Sequence, residues 1–551
     1  MLRKKVMAMF LSAVLCIGML AGCGQGADKA DAPVQEDAKV QEDTSESAQE
    51  EREISEEVSE EPVKIEWLAY NCYAQPDKDA EIVKMIEEKF NVDFEFWYVD
   101  DQNWDEVLST RLAGGEMPDV MRVKNTANVP NYVKQGILSE VTDEMLEMMP
   151  TYVSIINEYD PDGTGMIDGL YEGKQYIMKN VSVGGSYPTV LTWRTDWLKN
   201  CGIDKIPSTI DEFEAAMYAF ANNDPDGDGQ KNTYGFSNTV MNAVFGAYGA
   251  IPLKEYRGTG TQNLFYTMVD GKVEFAAVQP EMKEALSKLA QWYADGLIDP
   301  EFITGENKSG YWAVSQDFEN GKVGVTGMAL SSHWMPPVTE GANGGTVYQS
   351  YVTMNPDTVW GETIDIGPSI VGPEGKSGTH CWGALGTAGF AITTKCAEDE
   401  RKVKAVCEII ETMCSDFDSL VLAKFGVEGT HYTIDDMGNY VTNEEALGEA
   451  GMKQGLCVFN PIYNPEFEKR VNAAAFSFQD KYKDTGYSDV LVPQTEAAAA
   501  YMEDLKTYTL DTYIKIITGE ESIDYFDDFV VEFNATGGQQ IIDEINEAIG
   551  E

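Results

Sequence analysis

Between residues 224 and 232 the chain reads Asp224-Pro225-Asp226-Gly227-Asp228-Gly229-Gln230-Lys231-Asn232. Oxygen side chains stand at positions 1, 3, 5 and 9 of an EF-hand-like loop, glycine fills the sharp-turn position 6, and Gln230 offers its main-chain carbonyl at position 7. Alternate residues of a tight loop can converge on one centre, and Ca2+ prefers a shell of hard oxygen ligands. Crowded carboxylates repel one another unless a cation neutralises them. A structural Ca2+ held by Asp224, Asp226, Asp228, Gln230 and Asn232 is therefore the expectation; the alternative is a solvated Asp/Gly turn. Position 12 is Gly235, which brings no carboxylate, so a donor from elsewhere must complete the shell. Asp160 to Asp168 has similar oxygen spacing with fewer acids, and an exposed turn or hairpin tip is expected there.

Aromatic residues carry the second kind of chemistry. Ten tryptophans are present, all of them beyond residue 61. Aromatic faces stack on the C–H faces of pyranose rings while Asp, Asn and Arg take the hydroxyls. Candidates for ligand contact are those near strand ends: Tyr70, Trp193 with Arg194, Trp312, His333 with Trp334, and Trp382. Tyr73 and His380 lie beside two of them. Trp197 and Phe213 recur at helical spacing and read as core, and Asp119 and Glu428 read as capping or turn groups.

A formal charge of −53 argues against nucleic acid, whose binding needs Lys and Arg to neutralise phosphates. It also disfavours polyanionic ligands unless a local basic pocket overrides the field. No HExxH, GxSxG or Walker loop occurs, and with 93 acidic residues no carboxylate pair is singled out for glycoside hydrolysis. The three histidines have no metal-site spacing, and the scattered cysteines form no disulfide framework. The expectation is a binding protein and not an enzyme, with an extracellular glycosidase and an adhesion or assembly protein as the rivals.

The chain begins Met1-Leu2-Arg3-Lys4-Lys5, followed by an apolar run from Val6 to about Leu20 that is short for a membrane span. It ends in Leu20-Ala21-Gly22-Cys23, which resembles the bacterial lipobox and makes Cys23 the expected acylated residue. Residues 24–61 are acidic and lack aromatics, the composition of a disordered tether. Residues 1–23 thus read as a lipoprotein signal, and the chain is expected on the extracytoplasmic face of the cell membrane.

The rest must position these residues. Val63–Leu68 alternates as a strand, Asp79–Phe90 has helical spacing, and a strand over 93–99, a helix over 103–113 and a strand from 118 follow. Later helices are expected at 209–221, 279–295, 397–415, 494–518 and 536–549, and strands at 189–193, 323–328 and 385–392. Alternating strands and helices over this length imply α/β lobes with a crevice between them.

Several segments together resemble the extracellular solute-binding family 1 of ABC importers, in its larger LipO-like lipoprotein branch. They are Trp104 with Arg111-Leu112-Ala113-Gly114-Gly115-Glu116-Met117-Pro118-Asp119-Val120; Leu191 to Leu198 with Pro207 and Thr209 to Phe213; the loop Asp224–Gly235; Phe425 to Gly429; and Tyr513 to Gly519. The resemblance implies a type II periplasmic-binding-protein-like fold, two lobes closing over a small-molecule ligand, with a carbohydrate as the expectation and a peptide or other small solute as the alternative. It implies delivery to ABC permease transmembrane subunits and calcium in the acidic loop; a monomer is expected because a hinged binder needs both lobes free. It assigns 62–187 with 345–392 to the N-terminal lobe and 188–344 with 393–551 to the C-terminal lobe.

Overall fold

The computed structural model describes residues 61–68, 74–99, 103–254, 264–303, 316–338, 344–386, 388–436, 438–446, 448–459 and 464–550. Cys23, the tether, Tyr70, Tyr73 and Trp312 lie outside the described residues. The elements that matter here are the strands β1 (Val63–Leu68), β2 (Val92–Trp97), β3 (Val120–Val123), β4 (Met178–Lys179), β5 (Thr189–Arg194), β6 (Val325–Leu330), β7 (Ile364–Gly367) and β8 (Gly389–Ile392). The helices are α1 (Glu81–Phe90), α2 (Trp104–Ala113), α3 (Val129–Lys134), α4 (Pro150–Tyr159), α5 (Ile210–Asn222), α6 (Pro280–Ala294), α7 (Glu400–Ser415), α8 (Pro465–Val471), α9 (Glu496–Thr518) and α10 (Gln539–Gly550).

Helix α1 buries Ile82, Val83, Ile86 and Phe90 on one face and stops where Asn91 turns left-handed, at φ 50°. That turn brings β2 back parallel to β1, paired from Val63–Val92 to Leu68–Trp97. After α2, Gly114 and Gly115 end the helix and β3 joins the other side of β1. The sheet is completed from far along the chain: its order is β2-β1-β3-β8-β4, with β8 antiparallel to both neighbours. Every residue of β3 and β8 is buried, as strands covered on both faces must be. Val63–Glu551 forms one compact unit that contains a second sheet, ordered β6-β5-β7 and antiparallel throughout.

Each sheet has its own core. Ile65, Ile82, Val406 and Ile410 meet on the first, and Trp193, Phe213, Phe220, Phe236 and Trp292 on the second. Burying such a side chain is worth about 1.5–3 kcal/mol relative to exposure. This division corrects the expected lobe assignment in two places. Helix Thr346–Met354 and β7 belong to the second lobe: Val347 and Tyr351 pack with Trp334 and Ile364, and Ile364 and Ile366 are the two buried positions of a strand paired edge-on to β5. Helix α7 belongs to the first lobe, because the chain turns at Thr393, whose hydroxyl bonds the Pro118 carbonyl at 2.7 Å, and lays α7 over β1. Helices α9 and α10 pack on the second core.

The lobes are joined where chain segments run side by side. Pro188 bridges Cys381, and Thr379 and His380 pair with Gly486 and Tyr487. A Cβ on Gly185 would stand 2.4 Å from the Gly383 carbonyl oxygen, so this contact admits no side chain. No described helix is long and apolar enough to cross a membrane.

Candidate functional site

Parallel strands present their C-terminal ends to one side of a sheet, and at the end of β3 that side meets residues of the second lobe. The turn after β3 carries Asn125 and Thr126 into a pocket between the two cores. Asp168 joins them from the first lobe; Tyr266, Asp489 and Gln494 form the opposite wall. Asp168 is nearly fully buried and forms an ion pair with Lys179, which is itself fully buried. Thr126 donates its hydroxyl to Asp168 at 2.9 Å, and Lys179 donates to the Gly386 carbonyl at 2.7 Å. Loss of water pushes the Asp168 carboxyl up and the Lys179 ammonium down, against the attraction between them. Asp489 accepts the Tyr266 N–H at 2.8 Å, and burial pushes its carboxyl up to about 8. The pocket therefore sets hydroxyl, amide and carboxyl groups among apolar residues, with Lys179 paired to Asp168 and the lining Lys506 paired to Glu503 at 2.6 Å.

His333 and Trp382 face each other at the crossing segments, ring centroids 6.2 Å apart, and both are half-buried. The His333 Nδ1 accepts the Leu330 N–H at 3.1 Å. Burial holds this imidazole down at about 4, so it is neutral at pH 7. His380 packs on Phe265 at 5.1 Å and is held lower still, to about 3.

Three expected ligand contacts are frame residues instead. Trp193 is fully buried against Phe213 and Phe220, because β5 is the central strand of its sheet. Arg194 grips Asp196 through Nε at 2.8 Å and Nη2 at 2.6 Å, with its guanidinium 4.6 Å from the Trp197 ring centre. Trp334 is fully buried between Phe318 and Tyr351. Asp119 ties β1 to α7, accepting the Glu66 N–H at 2.8 Å and the Lys402 ammonium at 2.8 and 2.9 Å.

The acidic loop leaves α5 with Asp224 at φ 50° and with Gly227 and Gly229 also left-handed. Asp224, Asp226 and Asp228 bring carboxylate oxygens within 4.8 Å of one another, the one such cluster among the described residues. Burial raises the Asp226 carboxyl, and its neighbours Asp228 and Asp224 add to the rise. Asp228 also accepts the side-chain amides of Gln230 at 3.1 Å and Asn232 at 3.0 Å, which leaves their oxygens unspent. This hard-oxygen donor set suits Ca2+. Gly235 cannot be the missing carboxylate position, since a Cβ there would lie 2.5 Å from the Met217 sulfur. In the Asp160 loop the Asp160 carboxylate accepts the N–H groups of Gly165 (2.9 Å) and Met166 (3.1 Å), closing a turn, while Asp168 is turned to Lys179.

No local spacing signals Asp489 or the Asp168–Lys179 pair, which become neighbours only when both lobes are assembled. Residues 73–411 match the family described as bacterial extracellular solute-binding protein. The chain belongs to that family. This solute-binding protein is 24% identical to "Lipoprotein LipO" of Bacillus subtilis (strain 168) over 571 aligned positions, 99% of this chain and 98% of that one. It is 22% identical over 500 residues to the same organism's "Polygalacturonan/rhamnogalacturonan-binding protein YtcQ", covering 88% and 91% of the two chains. Among solved structures, alginate-binding protein AlgQ2 without calcium ion superposes with a TM-score of 0.65 at 18% identity, over 89% of this chain and 98% of that one. The Streptococcus pneumoniae substrate-binding protein FusA in complex with kestose gives 0.62 at 17%, over 88% and 98%. The solute-binding protein thus has the two-lobed periplasmic-binding-protein-like fold, and it is a binder and not an enzyme.

Proposed function

We propose that this chain is the lipid-anchored receptor of an ABC importer, capturing a carbohydrate between its lobes and handing it to a membrane permease. The observation that carries the reading is the pocket between the two cores, where the polar groups of Asn125, Thr126, Asp168, Asp489 and Gln494 stand among apolar residues such as Leu264, Val492 and Met502, the mixture that suits the C–H faces and hydroxyls of a sugar. The half-buried Trp382 beside His333 is the proposed stacking face, with Tyr70 and Trp312 as further aromatic contacts; Trp193, Arg194 and Trp334 support the walls. The relatives named as polygalacturonan- and fructooligosaccharide-binding proteins favour an oligosaccharide. Asp224, Asp226, Asp228, the Gln230 carbonyl and Asn232 would hold a Ca2+ that braces the end of α5. Cys23 would carry the anchor on the extracytoplasmic face of the membrane, and the receptor would act as a monomer.

A thermal-shift screen of neutral and acidic oligosaccharides and short peptides tests this, since a ligand of the folded state raises its apparent stability. One saccharide class should shift the transition with no product formed. Peptides alone, or cleavage of the glycan, would overturn the reading. Ca2+ should raise the transition separately, and Asp226→Asn with Asp228→Asn should abolish that rise.

A further inference from the structure

We infer that Glu496 is a positioning residue for ligand capture, clasping the second-lobe wall of the interlobe pocket to the first lobe. The inference rests on the capture reading of that pocket. Glu496 is the first residue of α9, and its backbone is fixed to the second lobe. The Thr495 hydroxyl accepts the Ala498 N–H at 3.1 Å, Ala497 donates its N–H to Glu544 of α10 at 2.9 Å, and Ala497 and Leu505 sit in the second core.

Its carboxylate reaches the other way. Lys134, the last residue of α3, donates to Glu496 Oε1 at 2.6 Å, and the Tyr171 hydroxyl donates to the same oxygen at 3.1 Å. The Lys134 ammonium also lies 5.8 Å from the Tyr171 ring centre. Tyr171 and the α3 residues Val129 and Tyr132 belong to the core on the other face of the first sheet. One carboxylate oxygen therefore gathers donors from two separate first-lobe elements onto a helix of the second lobe.

The clasp stands at the edge of the pocket. Gln494, Ala498 and Met502 form the wall that leads into and along α9, and Asn125 to Ala127 face it from the first lobe. An exposed ion pair adds little to the stability of a single rigid body. Here its two charges sit on different lobes and meet only when the lobes are together. Its effect falls on the population of the closed state, and so on apparent affinity and release.

Hydrogen exchange of the ligand-free full chain tests this first. In Glu496→Ala and in Lys134→Glu, amides of 125–127 and 489–494 should exchange about 3- to 5-fold faster, with those of the α6 and α7 cores unchanged. The charge swap, Lys134→Glu with Glu496→Lys, should restore protection. With kestose and tri-galacturonate as probes, whichever binds should leave the single variants about 3- to 5-fold faster, at an unchanged association rate. Wild-type exchange in the single variants, or no recovery in the swap, would overturn the clasp. Swap-reversible exchange with neither probe nor any other saccharide binding would support the clasp and overturn the saccharide reading.

Discussion

Asp489 carries the clearest linkage between a single group and the state of the protein. Its ordinary value is 3.8 and burial raises it to about 8. Between those values the folded chain holds a proton that the unfolded chain has released, so stability falls as pH rises through that window and levels off above it. Asp489→Asn removes the titration and keeps an acceptor for the Tyr266 N–H. Urea unfolding at pH 5, 6, 7 and 8 should show the variant gaining on the wild type by at most about 1.4 kcal/mol per pH unit. A constant difference would mean that Asp489 is already ionised in the fold. At this scale the sequence was legible where spacing is local. The three aspartates of the acidic loop converge as their alternation suggests. Trp193 and Trp334 were misread because a tryptophan at a strand end looks the same in sequence whether it faces a crevice or a core. Only the pairing of β5 on both edges, and the packing of helix Thr346–Met354, decide which.

Elements built on local periodicity were read closely. Strand β1, helix α1 and strand β2 lie where the alternation and helical spacing put them, and the long helices start and stop within a few residues of expectation. Strand β7 was missed: Ile364-Asp365-Ile366-Gly367 is four residues long, with too few alternations to stand out from a loop. What fails more generally is the sorting of segments into lobes. Neither periodicity nor composition says that α7 lies over β1 while the helix at 346–354 lies against Trp334. The crossing segments have a prediction of their own. Gly185→Ala would push a methyl carbon into the Gly383 carbonyl, 2.4 Å away. Such overpacking costs about 1–3 kcal/mol, and it should appear as a lower urea midpoint together with weaker ligand affinity, since the displaced segments join the lobes. An unchanged midpoint would show that the two segments can part freely.

For the molecule as a whole, a net charge of −53 over 551 residues means that folding concentrates like charges that an unfolded chain can spread apart. Added monovalent salt shortens the screening length from about 30 Å at 0.01 M to about 8 Å at 0.15 M. The thermal midpoint should therefore rise over that range in NaCl, and a fall would mean that surface ion pairs such as Lys64–Glu95 outweigh the repulsion. The order of the first sheet also governs when the fold can form. Strand β8 lies between β3 and β4 although both precede it in the chain by a long stretch. At about 5–20 residues per second, a ribosome finishes β8 some tens of seconds after β3. Throughout that interval β3 has a vacant edge, and the α7 residues that cover β1 do not yet exist. Neither lobe can reach its final form on a half-made chain, so the polypeptide stays incompletely folded until its last third has been made.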